Sequence, residues 1–521
     1  VFALFATAAM MVVRWMTKQE LTMALHRRCC SAVSGVPWLG VRRSSTFTRG
    51  KYDPFNALTS VFTPKRSGNG ALNDWSVSIK ENIAMRGAQT TCASKMLEEY
   101  KSPFDATVVR LLCENGACIT SRNNCDEFAM GGLNIYSSFG PVANPAPYTD
   151  MSNPDFDEIV PHSPGGSSGG AAAAVRAGLC RVAIGTDTGG SVRLPASFCG
   201  VYGYKPSYGL ISRWGVVAYA DSLDTVGVLA RNIHDIRAVH DAIAVEDAHD
   251  PTCVDQALRN RVQHEVDAIQ GRVGKDAPLS GLRVGILAEA FPMELDQRIA
   301  HIVDDALSAL ESLGATLVPL SIPAIAHGIG AYYVLALAEA TSNLARFDGT
   351  RYGFHETGDF ASYHAYVSAN RADSFGREVR RRILLGTYAL SSNAWNSYYL
   401  AANQVRSALV RQLRAVWSTP DLRVSNDSHF DGPRVDVCVN PTALQTALRL
   451  DSKPSNQYAQ EALTVAANLA GQPTVSAPAR QTLENGGAHL PVGISFKAQW
   501  GHEKLLFDVI DTLHQHTDVL A

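Results

Sequence analysis

Residues 161–206 read PHSPGGSSGGAAAAVRAGLCRVAIGTDTGGSVRLPASFCGVYGYKP, and the fold follows from how this stretch is parsed. Two serines stand among glycines in it: Ser167 inside GGSSGG (165–170), and Ser191 directly after TDTGG (186–190). Glycines beside a hydroxyl let backbone N–H groups approach a reacting atom and tolerate dihedral angles that a Cβ forbids. The alanine-rich run 171–179 favours a helix, with Ser168 or Gly169 as its N-cap and Gly178 near its end. Residues 180–185, CRVAIG, form an apolar run of strand length that leads into the second glycine loop. Loop, helix, strand and loop return Ser191 to the neighbourhood of Ser167. Taken alone, GGSSGG reads equally well as a flexible linker. The second glycine-flanked serine, at the end of an apolar strand, argues against that.

Upstream, residues 75–80 (WSVSIK) alternate in polarity, with Trp75, Val77 and Ile79 on one face of a strand and Ser76, Ser78 and Lys80 on the other. A lysine at a strand end is ordinarily a solvated charge. Residues 104–112 and 118 onward read as helix then strand and lead to NCDEFAMGG (124–132), whose acidic residues suit the first turn of a helix. Downstream, residues 232–244 have the pattern of an amphipathic helix, and 245–280 are polar and charged, as a surface insertion would be. A strand at 282–287 and a long amphipathic helix at 299–313 follow, and a second surface insertion is expected at about 415–435. This βα alternation fits one elaborated α/β fold.

The pattern GGSSGG, an alanine-rich run and then GTDTGGSVRLPASFCGVYGYKPS resembles the amidase signature family, and the resemblance extends over residues 52–521. It implies a large mixed β-sheet core covered by helices on both faces. It also implies a catalytic triad of two serines and a lysine. Ser191 would be the nucleophile, Ser167 the bridging serine with a cis peptide before it, and Lys80 of VSIKEN (77–82) the base. The N–H groups of Thr188, Gly189 and Gly190, with that of Ser191, would form the oxyanion hole. Glu81 stands where relatives more often have Asp. A serine hydroxyl attacks only when a base takes its proton, and a lysine is a base only when burial keeps its amine neutral. Ser-Lys arrangements are a known variant of the serine triad.

Within the family, NCDEFAMGG, YYVLALAEATSNLARFDG (332–349) and FGREVRRRILLGT (375–387) resemble the A-type branch, that of the glutamyl-tRNA(Gln) amidotransferases. The branch implies hydrolysis of glutamine, with the ammonia used to convert Glu-tRNA(Gln) to Gln-tRNA(Gln) in organellar translation. It implies that Tyr332 and Arg382 contact the glutamine, and that Glu461 of YAQEALT (458–464) stands at a third contact that is usually Asp. An acid and an arginine together suit the two charges of a free amino acid. As a charge run alone, residues 380–382 would be a solvated basic face. The implied partners are B-type and C-type subunits in a hetero-oligomer, with tRNA held mainly by a partner. No cofactor is implied for this chain; ATP and magnesium belong to the partner subunit. The alternative is a standalone amide hydrolase of the same family, with another pocket in place of Arg382 and Glu461. An α/β-hydrolase elbow at GGSSG requires a preceding strand, whereas PHSP precedes this one.

Apolar residues are 46% of the 521 and charged residues 18%, the composition of an ordinary globular chain. Residues 1–51 differ, with eight Lys or Arg against the single acid Glu20. That is the composition of an organellar transit peptide or a disordered basic leader, and it points to the mitochondrial matrix. Met23 would give the cleanest start for such a leader. Residues 1–13 are apolar but too short to span a bilayer, so no membrane anchor is expected. Residues 52–521 carry 38 Lys and Arg against 48 Asp and Glu, a net of about −10, which suits a phosphate backbone poorly. The ten cysteines show no metal-ligand spacing, so neither a disulfide nor a metal is expected.

Overall fold

Eleven strands join in one sheet in the computed structural model, which describes residues 53–63, 68–148, 159–424, 434–451, 457–485 and 487–521. They are β1 (Leu58–Val61), β2 (Ser76–Lys80), β3 (Cys118–Asn123), β4 (Val182–Asp187), β5 (Tyr202–Lys205), β6 (Thr225–Ala230), β7 (Arg283–Leu287), β8 (Thr316–Leu320), β9 (Val437–Pro441), β10 (Thr474–Asn485) and β11 (Ala488–Ala498). Their order is β1-β3-β2-β4-β6-β5-β10-β11-β9-β7-β8. The sheet is mixed: β3, β2 and β4 are mutually parallel, as are β9, β7 and β8, and the strands between β4 and β9 pair antiparallel.

Side-chain alternation explains why helices cover both faces. Ala183 of β4 and Leu229 of β6 pack with the helix Gly169–Arg176 and with Val192, Ala196 and Cys199. Their neighbours Val182, Ile184 and Val228 point the other way, into the large core with Val108 and Leu112 of the helix Thr107–Glu114 and Ile236 and Val239 of the helix Ile233–Ile243. The alanines of the first helix are there for closeness. Ala171, Ala172, Ala173 and Ala174 are all fully buried, and a Cβ on Gly170 would fall 2.3 Å from the Asn124 carbonyl oxygen.

Parallel pairing of β2 with β4, Val77 beside Val182 and Ile79 beside Ile184, sets the C-terminal ends of the two strands side by side. Lys80 therefore lies next to the loop that carries Ser191. Crevices at the carboxyl ends of parallel strands are where α/β sheets bind ligands.

Three sequence expectations change. The insertion at 245–280 is not all loop: Gln256–Gln270 is a helix, capped by Asp255, whose carboxylate accepts the Leu258 N–H at 2.8 Å. Val262, Val266 and Ile269 form a buried stripe on that otherwise polar helix. Around 124–132 the chain makes only a 3₁₀ turn, Glu127–Ala129, with Phe128 at φ 49° and Ala129 at φ 60°. The helix after Ser167 ends at Arg176, short of Leu179. Of the second insertion, residues 415–424 and 434–435 are described, and Trp417 pairs there with Val435. The leader at 1–51 lies outside the described residues. Eight described cysteines are free thiols, and no described helix is long and apolar enough to cross a membrane.

Candidate active site

Lys80 closes β2 with its side chain wholly enclosed. Its Nζ donates to Ser167 Oγ at 2.8 Å, to Ser168 Oγ at 2.8 Å and to Thr186 Oγ1 at 3.0 Å. Burial pushes its pKa down from 10.5 to about 8, against the pull of Cys125 and of Asp126, Asp187 and Asp224. The polar face predicted for this strand is thus the face turned to the serines, but it is buried rather than solvated. Ser78 on the same face donates to Asn123 Oδ1 at 2.5 Å. The Glu81 carboxylate turns elsewhere, taking Thr91 Oγ1 at 2.6 Å and Arg122 Nε at 3.1 Å.

Ser167 follows a cis peptide from Gly166. Its carbonyl accepts the Asp126 N–H at 3.2 Å, and the Asp126 carboxylate takes the N–H groups of Asn134 and Tyr136 at 2.9 and 3.0 Å. A Cβ on Gly166 would lie 2.2 Å from Asp126 Oδ2, so this glycine is needed for the approach. Ser168 occupies the N-cap position of the following helix without capping it. Its hydroxyl accepts from Lys80 and donates to the Thr186 carbonyl at 3.1 Å. The Ser168 N–H also donates to the Ser191 carbonyl at 3.1 Å, which ties the two glycine loops together. The Ser191 hydroxyl has no hydrogen-bond partner among the described residues.

The loop before Ser191 is held by a buried ion pair. Asp187 receives Arg193 Nη2 at 2.9 Å, Arg193 Nε at 3.0 Å, the Gly190 N–H at 2.9 Å and Asn468 Nδ2 at 2.9 Å. Burial would raise the Asp187 carboxyl, but the Arg193 guanidinium outweighs it and holds the group well below the usual range. Arg193 in turn donates to the Thr464 carbonyl at 2.9 Å. Of the expected oxyanion donors, Gly190 spends its N–H on Asp187, which leaves those of Thr188, Gly189 and Ser191. Thr188 Oγ1 donates to Asp224 at 2.6 Å.

Tyr332 is 1% exposed and packs so closely on the loop that a Cβ on Gly189 would fall 2.3 Å from its ring. Arg382 projects inward from the helix Arg377–Leu390, while Arg380 and Arg381 beside it are exposed, as helical geometry separates them. Its Nε donates to Glu378 Oε1 at 2.8 Å and its Nη1 to Tyr219 Oη at 3.0 Å. Glu461 is buried and accepts the Tyr333 hydroxyl at 2.6 Å, and burial raises its pKa from 4.5 to about 7. An amino acid's ammonium would favour its ionised form.

Sequence comparison places this arrangement. The Amidase family profile matches residues 62–507. The chain belongs to the amidase family. It is 44% identical over 484 residues to the mitochondrial A-type subunit of glutamyl-tRNA(Gln) amidotransferase from Mycosarcoma maydis, with 89% of each chain covered. It is 42% identical to the A-type subunit of glutamyl-tRNA(Gln) amidotransferase from Synechococcus sp. (strain WH7803), over 85% of this chain and 83% of that one. The crystal structure of the corresponding Thermotoga maritima protein, of the same name, superposes with a TM-score of 0.69 at 34% identity, covering 90% of both chains. This amidase chain brings together every site residue that the sequence resemblance implied. Sequence reasoning missed Tyr333, Glu378, Tyr219, Tyr458, Ser168, Arg193 and Thr186. Tyr333 and Glu378 sit within the quoted stretches, but nothing local marks them, because their partners are remote.

Proposed function

We propose that this chain is the glutaminase subunit of a glutamyl-tRNA(Gln) amidotransferase, with Ser191 as nucleophile, Ser167 as relay and Lys80 as base. The observation that carries the reading is the buried Lys80 amine, 2.8 Å from Ser167, beside a pocket holding one arginine and one acid. Arg382 takes the α-carboxylate of glutamine and Glu461 its α-ammonium, with Tyr332 against the carboxamide loop. The Ser191 oxygen bonds to the carboxamide carbon while its proton passes to Ser167, whose own proton goes to Lys80. The oxyanion is received by backbone N–H groups of Thr188, Gly189 and Ser191, donors that do not have to reorganise. The carbon–nitrogen bond then breaks, the nitrogen takes the proton back from the relay, and ammonia leaves. Water attacks the γ-glutamyl ester of Ser191 through the same relay and releases glutamate.

The names of the relatives support the further reading that B-type and C-type subunits, not this chain, use ATP and magnesium and hold the tRNA. The mitochondrial names among them support a basic leader that directs the chain to the matrix. The test is Ser191→Ala in the assembled complex. Glutamine-dependent activity should fall to background, while added ammonium still supports formation of Gln-tRNA(Gln). Glutamine-dependent activity near wild type rules out Ser191 as the nucleophile.

A further inference from the structure

The helix Arg377–Leu390 has one side in the pocket and one in water, and a chain of hydrogen bonds joins them. Arg381 is exposed; its Nη1 donates to Tyr458 Oη at 2.9 Å, and its guanidinium lies 5.3 Å from the centre of the Tyr458 ring. The Tyr458 hydroxyl donates to Glu378 Oε1 at 2.8 Å, the same oxygen that accepts Arg382 Nε at 2.8 Å. Tyr219 holds Arg382 Nη1 on the other side, so Nη2 is left without a hydrogen bond to any described residue.

We infer that Arg381 and Tyr458 are positioning residues for substrate recognition, setting both the direction and the availability of the Arg382 guanidinium. The inference rests on the reading of Arg382 as the carboxylate contact. Two donors fixed by Glu378 and Tyr219 leave the guanidinium a single orientation, with its remaining edge toward the pocket. Availability is a matter of competition. Glu378 and an incoming carboxylate are rival acceptors for one cation, and a rival that already accepts a second donor is the weaker one. Arg381 donates to the phenol oxygen, which makes the phenol a better donor to Glu378. A surface arginine thereby loosens the hold of Glu378 on Arg382 without touching the substrate.

The experiment is steady-state kinetics of the assembled enzyme with glutamine and with a small neutral amide that has no carboxylate. Tyr458→Phe removes one hydrogen bond to Glu378 and should raise KM for glutamine about three- to tenfold, with a smaller change in kcat. Its effect on the neutral amide should be clearly smaller. Arg381→Gln should act in the same direction, Arg381→Lys should recover part of the loss, and Tyr458→Phe with Arg381→Gln should lose little more than Tyr458→Phe alone. Arg377→Gln, an exposed change on the same helix, should leave KM unchanged. An unchanged KM in Tyr458→Phe, equal losses on both amides, or additive losses in the double variant overturns the inference. A wild-type enzyme with no preference for glutamine over the neutral amide overturns the proposed function itself.

Discussion

At the scale of single residues, the chemistry depends on the charge state of Lys80. Its pKa is about 8, so roughly a tenth of the amine is neutral at pH 7 and most of it above pH 9. Acylation by glutamine should therefore rise with pH through about 8 and then level, as single-turnover rates across pH would show. Lys80→Ala and Ser167→Ala should each lower that rate by about 10²–10⁴, and the double variant by little more, because members of one relay are not additive. Additive losses would make Lys80 a structural residue. Stability carries the same sign. Between pH 8 and 10.5 the unfolded chain binds a proton that the folded one lacks, so stability rises with pH across that window and the penalty of burial is complete below it.

At the scale of elements, the pocket depends on how tightly two helices meet. Gly386 sits one turn after Arg382, where Arg377–Leu390 crosses Gly328–Asn343, and a Cβ there would lie 2.0 Å from the Leu337 carbonyl and 2.2 Å from Thr341 Oγ1. Helix propensity favours alanine over glycine by about 1 kcal/mol. Overpacking in so tight a crossing opposes it by about 1–3 kcal/mol or more, so the clash decides the sign. Gly386→Ala should lower Tm by a few degrees and raise KM for glutamine, since Tyr332 and Arg382 stand on the two helices being pushed apart. Calorimetry that finds the variant more stable than wild type would mean that the helices do not pack this closely.

At the scale of the whole molecule, the nucleophile loop is braced by a part of the chain far along the sequence. Arg193 spans from Asp187 to the Thr464 carbonyl, and to Asn468 Oδ1 at 2.6 Å, across sequence separations of 271 and 275 residues. Arg193→Ala would leave the buried Asp187 carboxylate without its cation, which should lower unfolding free energy by about 3–5 kcal/mol in urea titrations at neutral pH. The ordinary pKa of Asp187 is 3.8 and its folded value lies below that, so its contribution is complete above 3.8 and fades as pH falls. The gap between wild type and variant should accordingly narrow in acid. A gap that does not depend on pH would mean that lost packing, not charge, is what the arginine supplies.

Local sequence was enough for Ser167 and Ser191, because glycine on both sides of a serine leaves a mark in the residues themselves, and alternation from Trp75 to Lys80 was enough to put the lysine on the serine side of its strand. The order of loop, helix and β4 was legible for the same reason, since propensity and periodicity act over a few residues. Burial of Lys80 was not legible from alternation, because a polar face looks the same whether water or Ser167 meets it. Nor were the partners of Arg382, Glu461 and Asp187. Tyr333 reaches Glu461 across 128 residues and Tyr458 reaches Glu378 across 80. Such pairs are brought together by the order of strands in the sheet and the crossing of helices upon it. No short-range preference encodes either, so the cation for the substrate and the brace for the nucleophile exist only once the chain has closed.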